Sequence, residues 1–196
     1  VQNSKGNPKR DFKFPYLALI ISGGHTEFVI FKNHLEYEII GQTLDDAAGE
    51  ALDKAAKLLG LGYPGGPVLE RLAKAAGNID NHHFPRPMLK SKDLNFSFSG
   101  LKTSFYYFLK KAKTPLSGVK ELASSFQEAV FDTLIKKTEM AIKQTGINRL
   151  IIGGGVVANV RLRNLMKSLI KKYQGEVLFP SYKYLTGDNA AMIGIV

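Results

Sequence analysis

The chain has no cysteine and no tryptophan among its 196 residues. Without cysteine there is no disulfide, no thiolate metal ligand and no thiol nucleophile, a composition that fits a reducing, cytoplasmic setting. Long apolar runs are missing too. Nothing approaches the roughly 18–20 residues needed to cross a bilayer, and no signal-peptide pattern opens the sequence, so no membrane partner is expected. Histidine is scarce, at four residues, and none falls in the His-Glu-x-x-His pattern of a zinc protease. No Gly-x-Ser-x-Gly elbow is present either, and Ser22 and His25, three apart across a turn, do not form a hydrolase pair.

Acidic residues are the minority charge. Seventeen Asp and Glu against 27 Lys and Arg leave a net charge of +10 and an isoelectric point near 9.7. Such an excess favours anionic partners, nucleic acid first, while a surface solvated by lysine would give the same totals. An initiator methionine is also absent. The chain opens at Val1 with the polar "QNSKGNPKRD", and residues 1–14 are expected to be the flexible lead-in of a piece of a longer protein.

What is present has the order of an α/β protein. Residues 16–41, "YLALIISGGHTEFVIFKNHLEYEIIG", are rich in β-formers and broken at Gly23-Gly24 and Asn33-His34, which predicts two or three antiparallel strands. Thr43 stands where an N-cap belongs, with Asp46 as its capping-box partner. The Ala-rich helix that follows carries Asp45 and Asp46 in its first turn and stops at Gly60. Its polar side holds Glu50 and an i,i+4 pair, Asp53 with Lys57. A second helix is expected with Pro67 at its first position. Residues 78–103 are loop-like but too apolar and aromatic for a plain linker. Helices at about 104–112 and 117–145, a strand at 149–153, a helix at 159–173, a strand at 176–180 and a helix starting after Thr186 complete the pattern.

Two glycine turns stand out, Ser22–Thr26 ("SGGHT") and Gly153–Gly155 in "RLIIGGGVVANVRLR". Glycine costs about 0.5–1 kcal/mol relative to alanine inside a regular element, so a run of three at a strand end needs a reason. Close approach of a ligand to bare backbone, with N–H groups facing an anion, is one. A hairpin at Gly23-Gly24 and tight strand–helix packing at Gly153–Gly155 is the other. Asn159 opens a basic helix as a cap or as a ligand contact. Leu162, Leu165, Met166, Leu169 and Ile170 would be its buried side, with Arg163, Lys167 and Lys171 forming a solvated or phosphate-contacting ridge. His82 and His83 are adjacent, point apart and lack a nearby third ligand, so a surface role is expected for them. Asp188 in "TGDNAAMIG" reads as a helix cap on local grounds.

Taken together, "SGGHT", "DDAAGEALDKAAKLLGLGYPGGP", "FPRPM", "FSFSGLKT", "GGGVVAN" and "TGDNAAMIG" resemble, in order and spacing, the universal family of tRNA threonylcarbamoyladenosine transferases, long labelled glycoproteases. The resemblance covers residues 15–196. It implies an actin-like ATPase (ribonuclease H-like) fold, here mainly the second lobe. Core elements would lie at about 15–60 and 146–196, with a helical insertion at about 61–145 and the first lobe absent.

By the same resemblance, Ile20, Ile21, Ser22, Gly23 and Gly24 would meet a nucleotide ligand from the hairpin. Asp53 and Gly66 would bind its ribose or adenine side, and Asn159 would complete the pocket. Asp188 matches a carboxylate metal ligand, for iron(II) or another divalent ion such as zinc or magnesium. The implied reaction transfers threonylcarbamoyl from threonylcarbamoyl-AMP to the exocyclic amine of the adenosine beside the anticodon, in tRNAs reading codons that begin with A. ATP and AMP analogues would occupy the same pocket. Implied partners are tRNA, a paralogous actin-like subunit and a small ATPase.

One departure is plain: the family's upstream His-x-x-x-His element does not occur in this sequence. A metal-free and inactive portion of the enzyme is therefore expected. A non-catalytic scaffolding paralogue and a small-molecule kinase of the same fold are the alternatives.

Overall fold

The computed structural model describes residues 13–111, 118–180 and 186. The expected lead-in lies outside these residues up to position 12, as does the expected helix after Thr186. Just past position 12 the chain is already anchored. The Phe14 ring stands edge-on to Tyr16 and His34, and Arg149 donates to the Phe14 and Pro15 carbonyls.

Three strands open the fold: β1 (Tyr16–Ile21), β2 (Thr26–Asn33) and β3 (Glu36–Gln42). Then come the helices α1 (Ala48–Leu58), α2 (Gly65–Ala75), α3 (Ser99–Lys111) and α4 (Val119–Thr145). The chain returns to the sheet as β4 (Arg149–Gly153), makes a 3-10 turn (Gly155–Ala158), and continues through α5 (Val160–Lys172) to β5 (Glu176–Leu178). The five strands lie in the order β3-β2-β1-β4-β5. β2 runs antiparallel to both β1 and β3, and β4 parallel to both β1 and β5. At the centre, Leu19 is in register with Phe28 on one side and Ile152 on the other. β1 reads as an unbroken apolar run because it is an inner strand covered on both faces.

One core joins sheet and helices. Leu17, Leu19, Phe28, Leu150 and Ile152 from the strands belong to the same buried cluster as Ala51, Ala55, Phe126 and Val130 from α1 and α4. The loop-like stretch after α2 contributes heavily to it. Phe96 packs on Phe28 with ring centroids 5.1 Å apart, and Phe84 meets Phe105 at 5.1 Å. α4 supplies the polar groups that this irregular backbone needs when buried. Ser125 Oγ accepts from the Asn81 and His82 N–H groups, and Ser124 Oγ donates to the Ile79 carbonyl. Lys137, buried on α4, donates to Ser91 Oγ and the Asp93 carbonyl. Burial lowers its ammonium pKa, against the pull of the Asp93 charge.

Several local expectations are corrected. α1 begins at Ala48 and not beside Thr43. Thr26, reaching over from β2, accepts the Ala48 N–H at 2.9 Å, while Thr43 Oγ1 donates to the Asp46 carbonyl. Asp45 serves a different helix. Its carboxylate accepts from the Phe98 and Ser99 N–H groups and from the Ser97 and Ser99 hydroxyls, so α3 starts at Ser99, ahead of the expected 104. Burial alone would raise the Asp45 carboxyl, but these four donors hold it at about 2. Asp46 pairs with Lys54 and Lys102. Pro67 is the third residue of α2, behind Gly65 and Gly66. Gly60, at φ +72°, does end α1.

Candidate functional site

The turn between β1 and β2 is built around Ser22. Its Oγ accepts from the N–H groups of Gly24 and His25, and its carbonyl accepts from Gly49 in the first turn of α1. A Cβ on Gly49 would stand 2.5 Å from that carbonyl oxygen, so the small residue lets helix and hairpin meet backbone to backbone. At the end of β4 the three glycines differ from one another. Gly154 has φ +94°, and a Cβ there would lie 2.3 Å from the Ile21 carbonyl oxygen. Gly153 and Gly155 face open space. Close packing therefore explains one glycine of the run and leaves two.

The open space beside Gly155, though not that beside Gly153, belongs to a cleft of about 310 Å³, a volume in the range of small-ligand sites. The hairpin contributes Gly23, α1 contributes Gly49, Leu52 and Asp53, and the start of α2 contributes Pro64, Gly66, Pro67 and Glu70 beside Tyr63. Gly155, Val156, Ala158 and Asn159 close the far wall. Among the described residues the N–H groups of Gly23, Gly155 and Val156 have no protein acceptor.

Both carboxylates of the cleft are tied to helix starts, where N–H groups and the helix dipole favour a negative charge. Asp53 Oδ1 accepts from Gly65 and Gly66, each at 3.0 Å. The expected ion pair with Lys57 is not among those formed by the described residues. Glu70 Oε1 accepts from the Val160 N–H at 2.8 Å, linking α2 to α5 across the cleft. Asn159 does cap α5, accepting from Leu162.

Of the residues singled out from sequence, Gly23, Asp53, Gly66 and Asn159 share this cleft. Ile20, Ile21, Ser22 and Gly24 are not in its lining. Ile21 is wholly buried and backs Gly154, Ile20 is half-buried between Glu27 and Gly153, and Ser22 shapes the turn. Asp188 lies outside the described residues. His82 stacks on Phe84 and meets Phe108 edge-on, and His83 sits 3.6 Å from Asp80. The basic ridge on α5 is largely otherwise engaged at its start: Arg163 donates to the Val157 and Pro180 carbonyls, while Lys167 and Lys171 are exposed. Sequence reasoning missed Gly49, Tyr63 and Glu70. Gly49 had a signal, a lone glycine in an alanine-rich helix; Glu70 had none, since it reads as one more outward carboxylate.

A five-stranded mixed sheet whose central strand ends in a glycine turn, facing a second glycine turn before a helix, places the chain in the actin-like ATPase fold. The fold is shared with a solved activator of the 2-hydroxyisocaproyl-CoA dehydratase from Clostridium difficile with bound ADPNP, at TM-score 0.50 and 18% identity over 88% of this chain and 56% of that one. The family described as tRNA N6-adenosine threonylcarbamoyltransferase matches residues 1–195, and the chain belongs to it. Curated relatives bearing that name include proteins of Syntrophotalea carbinolica, 49% identical over 95% of this chain and 55% of its own length, Thermosipho africanus, 48% over 93% and 55%, and Trichlorobacter lovleyi, 50% over 93% and 53%. The chain thus spans about half the length of the curated relatives it matches.

Proposed function

We propose that the full-length protein containing this chain transfers the threonylcarbamoyl group from threonylcarbamoyl-AMP to the exocyclic amine of the adenosine beside the anticodon, in tRNAs reading codons that begin with A. The observation carrying this reading is that Gly23, Asp53, Gly66 and Asn159, far apart in sequence, line one cleft in a chain of this family. The amine is a weak nucleophile and needs an activated acyl donor. It attacks the carbamoyl carbon of the mixed anhydride, the bond to the phosphate oxygen breaks, and AMP leaves.

The cleft suits the adenylate half of that donor. Carboxylate oxygens of Asp53 and Glu70 accept from ribose hydroxyls, and the N–H groups of Gly23, Gly155 and Val156 donate to phosphate oxygens as negative charge builds on the leaving group. Holding donor and amine in one geometry supplies the orientation that a reaction in solution lacks.

The described residues do not make up a metal centre. No group of three His, Asp or Glu side chains gathers among them, and the Asp53 and Glu70 oxygens already accept from helix N–H groups. Companion subunits, a paralogous actin-like protein and a small ATPase, belong to the same reading, as does a cytoplasmic location.

The test is to incubate the full-length protein and its companions with tRNA, threonine, bicarbonate and ATP, then read digested tRNA by mass spectrometry. Threonylcarbamoyladenosine at the position beside the anticodon is expected. Phosphorylated sugar or cleaved peptide in its place overturns the reading, and nucleotide binding without modified tRNA points to the scaffolding role.

A further inference from the structure

Asn159 is 8% exposed, and both ends of its carboxamide are engaged. Its Oδ1 accepts from the Leu162 N–H at 3.2 Å, and its Nδ2 donates to Gln127 Oε1 at 3.0 Å. Gln127 is wholly buried on α4 and donates in turn, from Nε2, to Asn78 Oδ1 at 3.2 Å. The polarity of this relay has only one solution. A backbone N–H can only donate, so the oxygen of Asn159 faces Leu162 and its nitrogen faces Gln127. Gln127 must then present its oxygen to Asn159 and its nitrogen to Asn78. A carboxamide nitrogen carries two hydrogens, and Gln127 takes one of them. Asn159 lines the cleft, which leaves the second hydrogen for a ligand.

We propose that Gln127 is a positioning residue: it holds the Asn159 amide as a hydrogen-bond donor into the cleft, where that donor meets an acceptor atom of the bound adenylate. The proposal rests on the nucleotide reading above and adds to it a residue outside the cleft lining. Asn78 is the outer anchor. It follows the C-terminus of α2 at φ +55°, so α4, through one side chain, connects the far end of α2 to the start of α5. An unpaired buried donor or acceptor is costly, and breaking the relay at Gln127 would leave the Asn159 amide held by its Leu162 cap alone, with its nitrogen end unanchored.

The test uses the full-length protein with AMP as probe, combining calorimetry with NMR of the Asn159 side-chain amide. In wild type, AMP is expected to shift that amide resonance. Gln127→Met, similar in volume, should weaken AMP binding about tenfold, the scale of one well-placed hydrogen bond, and abolish the shift. Asn78→Gly keeps the positive φ, removes the outer anchor and should weaken binding about threefold. If Gln127→Met does not fold, Asn78→Gly decides by the same readouts. Variant binding and amide shift equal to wild type overturn the proposal and leave the cleft reading standing. Failure of wild type itself to bind AMP overturns both.

Discussion

At Gly154 the backbone is left-handed and a side chain would run into the Ile21 carbonyl, whereas at Gly155 one would project into the cleft. The same substitution should therefore have opposite consequences at neighbouring positions. Gly154→Ala is expected to cost roughly 2–4 kcal/mol through strained φ and backbone overlap, seen as a lower urea midpoint. Gly155→Ala should leave that midpoint nearly unchanged while weakening AMP binding, because the added methyl occupies ligand space. In sequence the three glycines are indistinguishable. Their roles separate only once β1 lies against β4 and sets which of them faces a carbonyl. Asp53 was visible as an outward acid on a patterned helix, but its real partners, Gly65 and Gly66, come from the next helix.

Among the elements, helix existence was largely legible, whereas of the helix caps only Asn159 on α5 was. α1, α4 and α5 stand close to their expected spans, because apolar spacing along a helix is local information. The caps of α1, α2 and α3 are borrowed. Thr26 caps α1, Asp45 caps α3 and Asp53 caps α2, each from a different element. Rules that look a few residues upstream find Thr43 and Pro67 instead.

Two carboxylates of α4 clamp α5: Glu128 pairs with Arg161, and Glu139 accepts from Lys172 at 2.7 Å and from the Tyr173 hydroxyl, just past the helix, at 2.6 Å. The Lys172 and Tyr173 donors hold its carboxyl at about 2, against 4.5 ordinarily, and outweigh the opposing effect of burial. A depressed carboxyl stabilises the fold fully above its unfolded value and loses that contribution as pH falls through the folded one. Glu139→Gln should thus be less stable than wild type at pH 7, and the difference should close between about pH 4.5 and 2. Urea midpoints across that range check it.

On the scale of the whole molecule, the positive excess of ten charges bears on solubility and on the choice of anionic partners rather than on the fold. If the full-length protein holds tRNA as proposed, counterion release should make that binding fall with salt. A footprint of only about three phosphates would weaken roughly 40-fold between about 50 and 200 mM. Filter binding at graded salt measures this, and a flat response would remove phosphate contacts from the account of how tRNA is held.

The sequence by itself determined the class: strand runs with two glycine turns, an alanine-rich helix and an α/β tail, together with motifs specific enough to indicate the family. These are properties of local spacing, and they survive without coordinates. Only the tertiary structure decided which glycine is packed and which is open. It also decided that Asp53, Glu70 and Asn159 stand around one cleft, and that a buried glutamine accepts from the Asn159 amide. Those facts depend on distances between residues far apart in the sequence, such as Ile21 and Gly154 or Glu70 and Val160, and such distances exist only after a single core has brought sheet and helices together.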